Sequence, residues 1–465
     1  MKKFAALFVL LVALLLALPG YIGYQAEGRY KGLLEQSAQG ELRLTGHSYR
    51  RGWFDSEAQT EFTIDLPPGS EDRGGAPQSI RLSVNSRIVH GPLLPSGGLG
   101  LAEIDSSLLL DDEPLFPADY PALIRTILEW NGAGSGQIDL PATVVEATAR
   151  RPRIDFAGLH GRTRFAAGLD RVEVGLEMAG IEARGDADAI FGMGPLRLVS
   201  ESQRDRSGLM LGTAHVEFDS FTMNDGSGTP VLVLRGGSAD VENWAVGERV
   251  NGRLTYRLDS LEAGGDQFGP AELVLTVENL SASALVELQQ ALEEIKGLPR
   301  EQQPMAMMGT LMGVAPALLE ADPGFAIERF NLRGPDGEID GRFRMQSVGL
   351  RWSEVGDTRT VLEKIDAEAA LRMPESYFRE LFAQQAQARL TQELLMRGQA
   401  DEESEAPSEE QLQALAQAAA GAQIDSLLSQ EVLVRDGETL ATAATLSSGL
   451  LSVNGKTIPL PHFEK

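Results

Sequence analysis

The stretch RRGWFDSEAQTEFTIDL, residues 50–66, alternates between two kinds of side chain. Its even positions carry apolar or small residues such as Phe54 and Phe62, and acidic residues such as Glu57 and Glu61 recur at odd positions. A period of two predicts a β-strand with one buried face. At about 14 residues, or roughly 46 Å, the strand is longer than usual. Because only one face is apolar, the strand must curl around helices or close against another sheet.

Further stretches of the same kind follow this strand. Residues 79–90 (SIRLSVNSRIVH) place Leu82 and Val84 on one face, and Arg81 and Arg87 on the other, where they would oppose the acidic face of the opening strand. Strands with one apolar and one polar face are typical of antiparallel sheets with a solvated side. The predicted fold class is therefore mostly β, or α+β, with long antiparallel curved sheets or a sandwich and inserted helices.

One predicted helix is rich in methionine. Residues 304–321 (PMAMMGTLMGVAPALLEA) are apolar nearly all round, which predicts a buried helix. Its methionines either fill a core, which is the interpretation we favour, or form an adaptable binding surface. They are Met305, Met307, Met308 and Met312.

Two more helices are predicted near the C-terminus. Residues 374–398 and 408–430 read as a helical hairpin, and the acidic linker near 398–409 is expected to be mobile. Beyond the N-terminal segment we divide the chain into an antiparallel β region, residues 25–265, and a second α+β region, residues 266–465.

The sequence also contains a weak internal repeat. Residues 271–292 and residues 365–385 both read as a strand, a short turn and an amphipathic helix. Duplication of one strand-plus-helix unit would explain the similarity.

Composition excludes several classes of function. The formal net charge is −26 and the isoelectric point is about 4.6. Such a surface repels nucleic acid and anionic lipid. The chain has no cysteine, which removes disulfides, thiolate nucleophiles and Cys-rich metal sites.

The N-terminus predicts a membrane segment. Lys2 and Lys3 precede an uncharged run, Phe4–Tyr24, that would span roughly 31 Å as a helix, about one hydrocarbon thickness. A cleaved signal peptide is the alternative, but cleavage after Gly20, Gly23 or Ala26 would leave a large residue at the −3 position. We therefore predict an uncleaved anchor, residues 4–24. Residues 1–3 would be cytoplasmic and the bulk of the chain would lie on the other side of the membrane.

Three aromatic residues are candidates for a membrane-proximal or partner-binding surface. Tyr21 and Tyr24 suit the membrane interface. Trp53 lies with the polar face of the opening strand, where it would contact lipid or a partner, or pack against arginine side chains.

Several segments together resemble a known family. YQAEGRY (24–30), IVHGPL (88–93), a Pro-Asp-Gly hairpin at 335–337 and LLSVNGKTIPLP (450–461) look like the YdgA family of bacterial envelope proteins of unknown function. The resemblance implies a single-pass inner-membrane protein facing the periplasm of a Gram-negative bacterium. It implies no catalytic residues.

No pattern in the sequence indicates catalysis, a cofactor or a metal. The histidines, which lie far apart, have no metal-ligand spacing, and His90 is best interpreted as the end of a strand. Asp336, Glu338 and Asp340 lack the spacing of a calcium loop. Asp111, Asp112 and Glu113 fit a turn better than an acid/base pair.

We therefore predict a non-catalytic binding or envelope-assembly factor that acts on a protein partner. The alternative is a carrier of lipid or another apolar ligand in a β-lined groove, and the third candidate is a cryptic hydrolase. A filled core with a flat exposed patch would favour partner binding, and a continuous apolar groove would favour the carrier.

Overall fold

The computed structural model describes residues 42–51, 55–66, 78–91, 93–110, 113–116, 122–147, 153–184, 189–225, 227–296, 298–299, 302–398 and 408–458. These residues form mostly antiparallel β sheet with a few helices, which confirms the predicted fold class at that level. Contacts divide the chain into two compact units: unit 1 comprises Met1–Val250 and Ser281–Ala315, and unit 2 comprises Asn251–Leu280 and Pro316–Lys465. The domain ranges proposed from the sequence stay predictions.

The elements have the following bounds. Unit 1 contains β1 (Leu42–Arg51), β2 (Asp55–Leu66), β3 (Gln78–His90), β4 (Ala102–Leu110), β5 (Glu113–Pro114), β6 (Leu123–Leu128), β7 (Gly134–Leu140), β8 (Thr143–Val145), β9 (Arg153–Phe156), β10 (Leu159–Phe165), β11 (Arg171–Met178), β12 (Ile181–Arg184), β13 (Ala189–Met193), β14 (Leu196–Arg204), β15 (Met210–Asn224) and β16 (Pro230–Val246). Further strands are β17 (Arg249–Ala263), β18 (Asp266–Phe268), β19 (Ala271–Ser281), β20 (Gly324–Gly334), β21 (Gly337–Ser347), β22 (Ile365–Pro374), β23 (Val434–Asp436), β24 (Thr439–Ser447), β25 (Leu450–Val453) and β26 (Lys456–Ile458). The helices are α1 (Ala282–Lys296), α2 (Gln303–Leu319), α3 (Thr358–Glu363), α4 (Glu375–Gly398) and α5 (Glu409–Ser429).

The opening stretch forms β2, which pairs antiparallel with β1 and β3. The register sets Phe62 opposite Leu82 and Glu57 opposite Arg87. Phe62 packs against the main core of unit 1, whereas Glu57 is exposed and pairs with Arg50. Over the described part of the stretch, the apolar face therefore packs inward and the polar face is directed to solvent, as the alternation predicts.

Unit 1 has a core filled by side chains. Its most deeply buried members include Ile138, Leu159 and Leu176, each at most 1% exposed. The same cluster includes residues of β12, β13 and β14. Burial of this extent supplies the main cohesion of the unit.

Strands of unit 1 turn a corner at glycines. β9 leads into β10 through Gly158 and β11 leads into β12 through Gly180, both with positive φ. A Cβ at Gly180 would lie 3.1 Å from the carbonyl oxygen of Met193, so the position also lacks room for a side chain. β10 pairs with β11, and beyond the two glycines β9 pairs with β12. Residues of both strand pairs contribute to the same core.

In unit 2 an antiparallel sheet runs through β19, β20, β21, β22, β24, β25 and β26. One face is apolar and the other is charged, as Phe343 and its neighbour Arg342 illustrate in β21. Part of the apolar face packs with α4 and α5, in a cluster that includes Met373, Phe378, Ile424 and Leu440. α4 and α5 also contact each other, so the predicted helical hairpin is present. The central part of its linker, residues 399–407, lies outside the described residues.

The predicted internal repeat is larger in the structure than in the sequence. The order strand, helix, helix, strand occurs as β19, α1, α2, β20 and again as β22, α4, α5, β24, with the short β23 before β24. In both cases the first helix begins directly after the strand, and the two strands pair antiparallel.

Within the parts of the chain that the structure describes, no helix is long and apolar enough to cross a membrane. The predicted anchor, residues 4–24, lies outside those parts and stays a prediction.

Candidate functional site

Helix α2 presents an uncharged, largely apolar face to solvent. Met305, Met308 and Met312 are 82%, 62% and 54% exposed, whereas Val314 on the inner side is 1% exposed. The outward residues, which we call the α2 face, are Pro304, Met305, Met308, Gly309, Leu311, Met312 and Gly313.

The prediction that this helix is buried on all sides is wrong. A helix whose sequence is apolar all round has no polar stripe to mark an outward side, so only tertiary contacts decide which face is covered. Of the two interpretations of its methionines, the adaptable surface is the one that the exposure of Met305, Met308 and Met312 supports.

Local sequence accounts for the ends of α2. Pro304 lies in the first turn, where its missing N–H breaks no helical hydrogen bond. The Gln303 side-chain amide donates to the Leu298 carbonyl oxygen at 3.0 Å, which ties the start of the helix to the preceding turn. Pro316 lies in the last turn, three residues before the final residue of the helix, Leu319.

Two glycines make part of the α2 face flat. Gly309 and Gly313 are four residues apart and so lie on one side of the helix. No atom of the surrounding protein lies within 4 Å of the position that a Cβ would take on either glycine. Small residues let another backbone approach closely, and flexible thioethers adapt to its side chains. Since α2 carries no titratable side chain, its face is suited to binding and not to acid–base chemistry.

The three aromatic residues proposed from the sequence, Trp53, Tyr21 and Tyr24, lie outside the described residues, so their roles stay predictions. Asp111 and Asp112 lie outside them as well. Of the three hairpin acids, Glu338 accepts a hydrogen bond from Asn331, and at Asp336 the backbone N–H donates to the Tyr377 hydroxyl.

The structure brings together a serine and a histidine that sequence spacing did not connect. The Ser56 Oγ lies 3.2 Å from the Nε2 of His90, across β2 and β3. Ser56 is 1% exposed, so a substrate has no access to its hydroxyl. We interpret the pair as a hydrogen bond that satisfies two polar groups at the end of β3.

Two further histidines pair with carboxylates on exposed strand faces. The Nδ1 of His160 lies 2.7 Å from Asp139, and the Nδ1 of His215 lies 2.6 Å from Asp240. The hydrogen bond to Asp240 raises the pKa of His215. Among the described residues no three potential ligands come together to hold a metal.

A polar cavity of about 300 Å³ lies on the charged face of the unit 2 sheet. Its arginines are already paired: Arg253 with Glu328, and Arg257 and Arg329 with Glu272. The hydrogen bond from Arg329 lowers the pKa of Glu272. We interpret this cavity as part of a solvated ladder of ion pairs.

The fold and the α2 face define a mostly antiparallel β protein that offers an exposed apolar helix. The chain belongs to the DUF945 family, described as bacterial protein of unknown function, whose model matches residues 1–461. It is similar to Protein YdgA of Escherichia coli (strain K12), with 21% identity in an alignment that covers 95% of this chain and 91% of that protein. The resemblance predicted from the sequence is thereby confirmed. No solved structure matches the chain.

Proposed function

We propose that this chain is a periplasmic protein, anchored in the inner membrane, that binds a protein partner and catalyses no reaction. The observation that carries the proposal is the exposure of the α2 face. Apolar area in water favours burial by roughly 25 cal/mol per Å², and exposed apolar patches are characteristic of interaction sites.

The location rests on the N-terminal sequence. Lys2 and Lys3 on the cytoplasmic side would orient the segment 4–24, with Tyr21 and Tyr24 at the outer interface. Trp53 follows soon afterwards and would contribute to a membrane-proximal surface.

The test is a photocrosslinking residue placed at Met308 of the full-length chain in living cells. A control residue at Leu450, which is also exposed but belongs to another element, measures background. We expect a crosslink to one protein, identified by mass spectrometry, at Met308 and not at Leu450. The crosslink should disappear when Met305 and Met312 are changed to Ser. Equal yields at the two positions would contradict the proposal.

One observation favours the lipid carrier as a second candidate. Phe325 and Met345, opposite each other on the apolar face of the unit 2 sheet, remain 37% and 39% exposed. The rings of Phe325 and Phe343 lie 6.2 Å apart on that face. A half-covered apolar sheet suits an acyl chain better than the filled core of unit 1.

Mass spectrometry of organic extracts from the purified chain tests the carrier. A bound lipid that is lost in Phe325→Ser but retained in Leu450→Ser would support it. Absence of lipid from the parent chain would remove this candidate and leave partner binding in place.

A further inference from the structure

We propose that the α2 face binds a cationic amphipathic helix of the protein partner. This inference rests on the proposed function and specifies the chemistry of its partner.

The shape of the α2 face favours a helix. Since α2 is a helix, it offers side chains and no strand edge for pairing. Met305, Met308 and Met312 follow a spacing of three and four residues, beside the flat strip of Gly309 and Gly313. Such ridges and grooves accept the side chains of another helix. Because α2 has 17 residues, its partner would match it over about 25 Å.

In the α4–α5 hairpin, a comparable helix surface of small residues is already covered by a second helix. The two helices meet through small residues that are almost fully buried, namely Ala383, Ala416 and Ala420. On α2 the small residues are exposed, so the corresponding contact is open. A helix with an apolar stripe would complete it.

The charge around α2 indicates which residues should flank the apolar stripe of the partner helix. α2 carries no charge, and the segments that flank it in the chain are acidic on balance: residues 293–301 contain three glutamates against Lys296 and Arg300, and Glu320 and Asp322 follow the helix. The whole chain carries a net charge of −26. Basic residues beside the apolar stripe would therefore be attracted, whereas a second copy of this chain or an anionic lipid surface would be repelled.

The probes are three fluorescent peptides of 18 residues. The first is an amphipathic helix of Leu and Lys, the second replaces each Lys by Glu, and the third scrambles the first so that no apolar stripe forms. Each is titrated by fluorescence anisotropy against the full-length chain in phosphatidylcholine nanodiscs, with empty nanodiscs as the blank. We expect the Leu/Lys helix to bind at least about tenfold more tightly than the other two.

Substitutions locate the contact without changing the charge. Met308→Ser with Met312→Ser should weaken binding of the Leu/Lys helix at least about tenfold, and Gly309→Leu should do the same by filling the flat strip. Leu450→Ser, the matched control, should leave binding unchanged. Circular dichroism melting of each variant shows that it is folded, and any variant that melts earlier is replaced by Met305→Ser.

Several results would overturn the inference. Equal binding of the Lys and Glu helices would remove the cationic requirement, and binding unaffected by the α2 substitutions would place the peptide elsewhere. Sedimentation showing a dimer that Met308→Ser dissolves would make a second copy the occupant, and vesicle binding lost in the same variant would make it lipid. If no peptide binds while Met308 still crosslinks to a protein in cells, this inference fails and the proposed function stands. Loss of that crosslink would instead remove the proposed function.

Discussion

At the scale of single residues, the buried carboxylate of Glu103 organises a loop. Its side chain has no exposed surface, and its Oε2 accepts hydrogen bonds from the Ser96 backbone N–H (2.9 Å) and hydroxyl (2.6 Å). Arg125 Nε lies 3.0 Å from Glu103 Oε1 but donates its hydrogen bond to Asp105. Glu103 thus ties the loop between β3 and β4 to the sheet.

Glu103→Ala should lower the free energy of unfolding by about 3 kcal/mol, because Ser96 loses a charge-assisted acceptor and Arg125 loses a buried partner. Asp105→Ala is the control and should cost about 1 kcal/mol or less, since Asp105 is partly exposed. Urea unfolding measures both variants. Equal losses would show that burial of Glu103 has no special role.

His215 should make stability depend on pH. Its hydrogen bond to Asp240, with a longer contact to Glu217, favours the imidazolium and raises the pKa above the ordinary value of about 6.5. The stabilisation is therefore fully present below pH of about 6.5 and is lost as pH rises through the folded-state pKa. We expect the parent chain to melt at a higher temperature than His215→Gln at pH 5. This difference in melting temperature should become smaller as the pH is raised to 8. A difference that grows toward pH 8 would contradict this assignment.

At the scale of elements, the two helix pairs of the internal repeat differ in what covers them. α4 and α5 enclose Ala383, Ala416 and Ala420, whereas the α2 face stays open. Similar chain order has therefore produced one closed helix pair and one exposed helix face.

Ala420→Leu should lower the free energy of unfolding by about 1–3 kcal/mol, because Ala420 has no exposed surface and extra methylene groups would separate α4 from α5. The matched control on the same helix is Leu415→Ala. It should change the unfolding free energy within about 0.5 kcal/mol, since Leu415 is exposed. Urea unfolding followed by circular dichroism compares the two. A neutral Ala420→Leu would mean that the hairpin is loosely packed.

At the scale of the whole molecule, the net charge and the proposed anchor would act together. A net charge of −26 keeps most of the surface soluble and turns it away from anionic lipid, so a membrane anchor would supply the attachment that electrostatics cannot. The proposed anchor would also confine the α2 face to the neighbourhood of the membrane, which would raise the effective concentration of a partner there.

The full-length chain extracted from membranes should keep Met1–Tyr24, because each possible cleavage site near Gly20, Gly23 or Ala26 has a large residue at its −3 position. Intact-mass spectrometry measures this directly. A mass that lacks about two dozen N-terminal residues would instead identify a cleaved signal peptide.

Prediction from sequence worked where a pattern was strong and local. The alternation around Phe62 and Leu82 predicted the faces of β2 and β3, since period two maps directly onto the two sides of a strand. It failed for α2, whose uniformly apolar sequence cannot say which side is covered. It also missed the contact between Ser56 and His90, which lie 34 residues apart and meet only through strand pairing.

The sequence by itself determined the mostly β class, the likeness to the YdgA family and the absence of cysteine chemistry, because composition, periodicity and segment order are written in the chain. Only the tertiary structure decided that Glu103 is buried, that strands turn corners at Gly158 and Gly180, and that the methionines of α2 face solvent. Burial is a property of neighbours brought together by folding. A run of apolar residues shows that burial of its side chains is favourable, but it does not show which other part of the structure buries them.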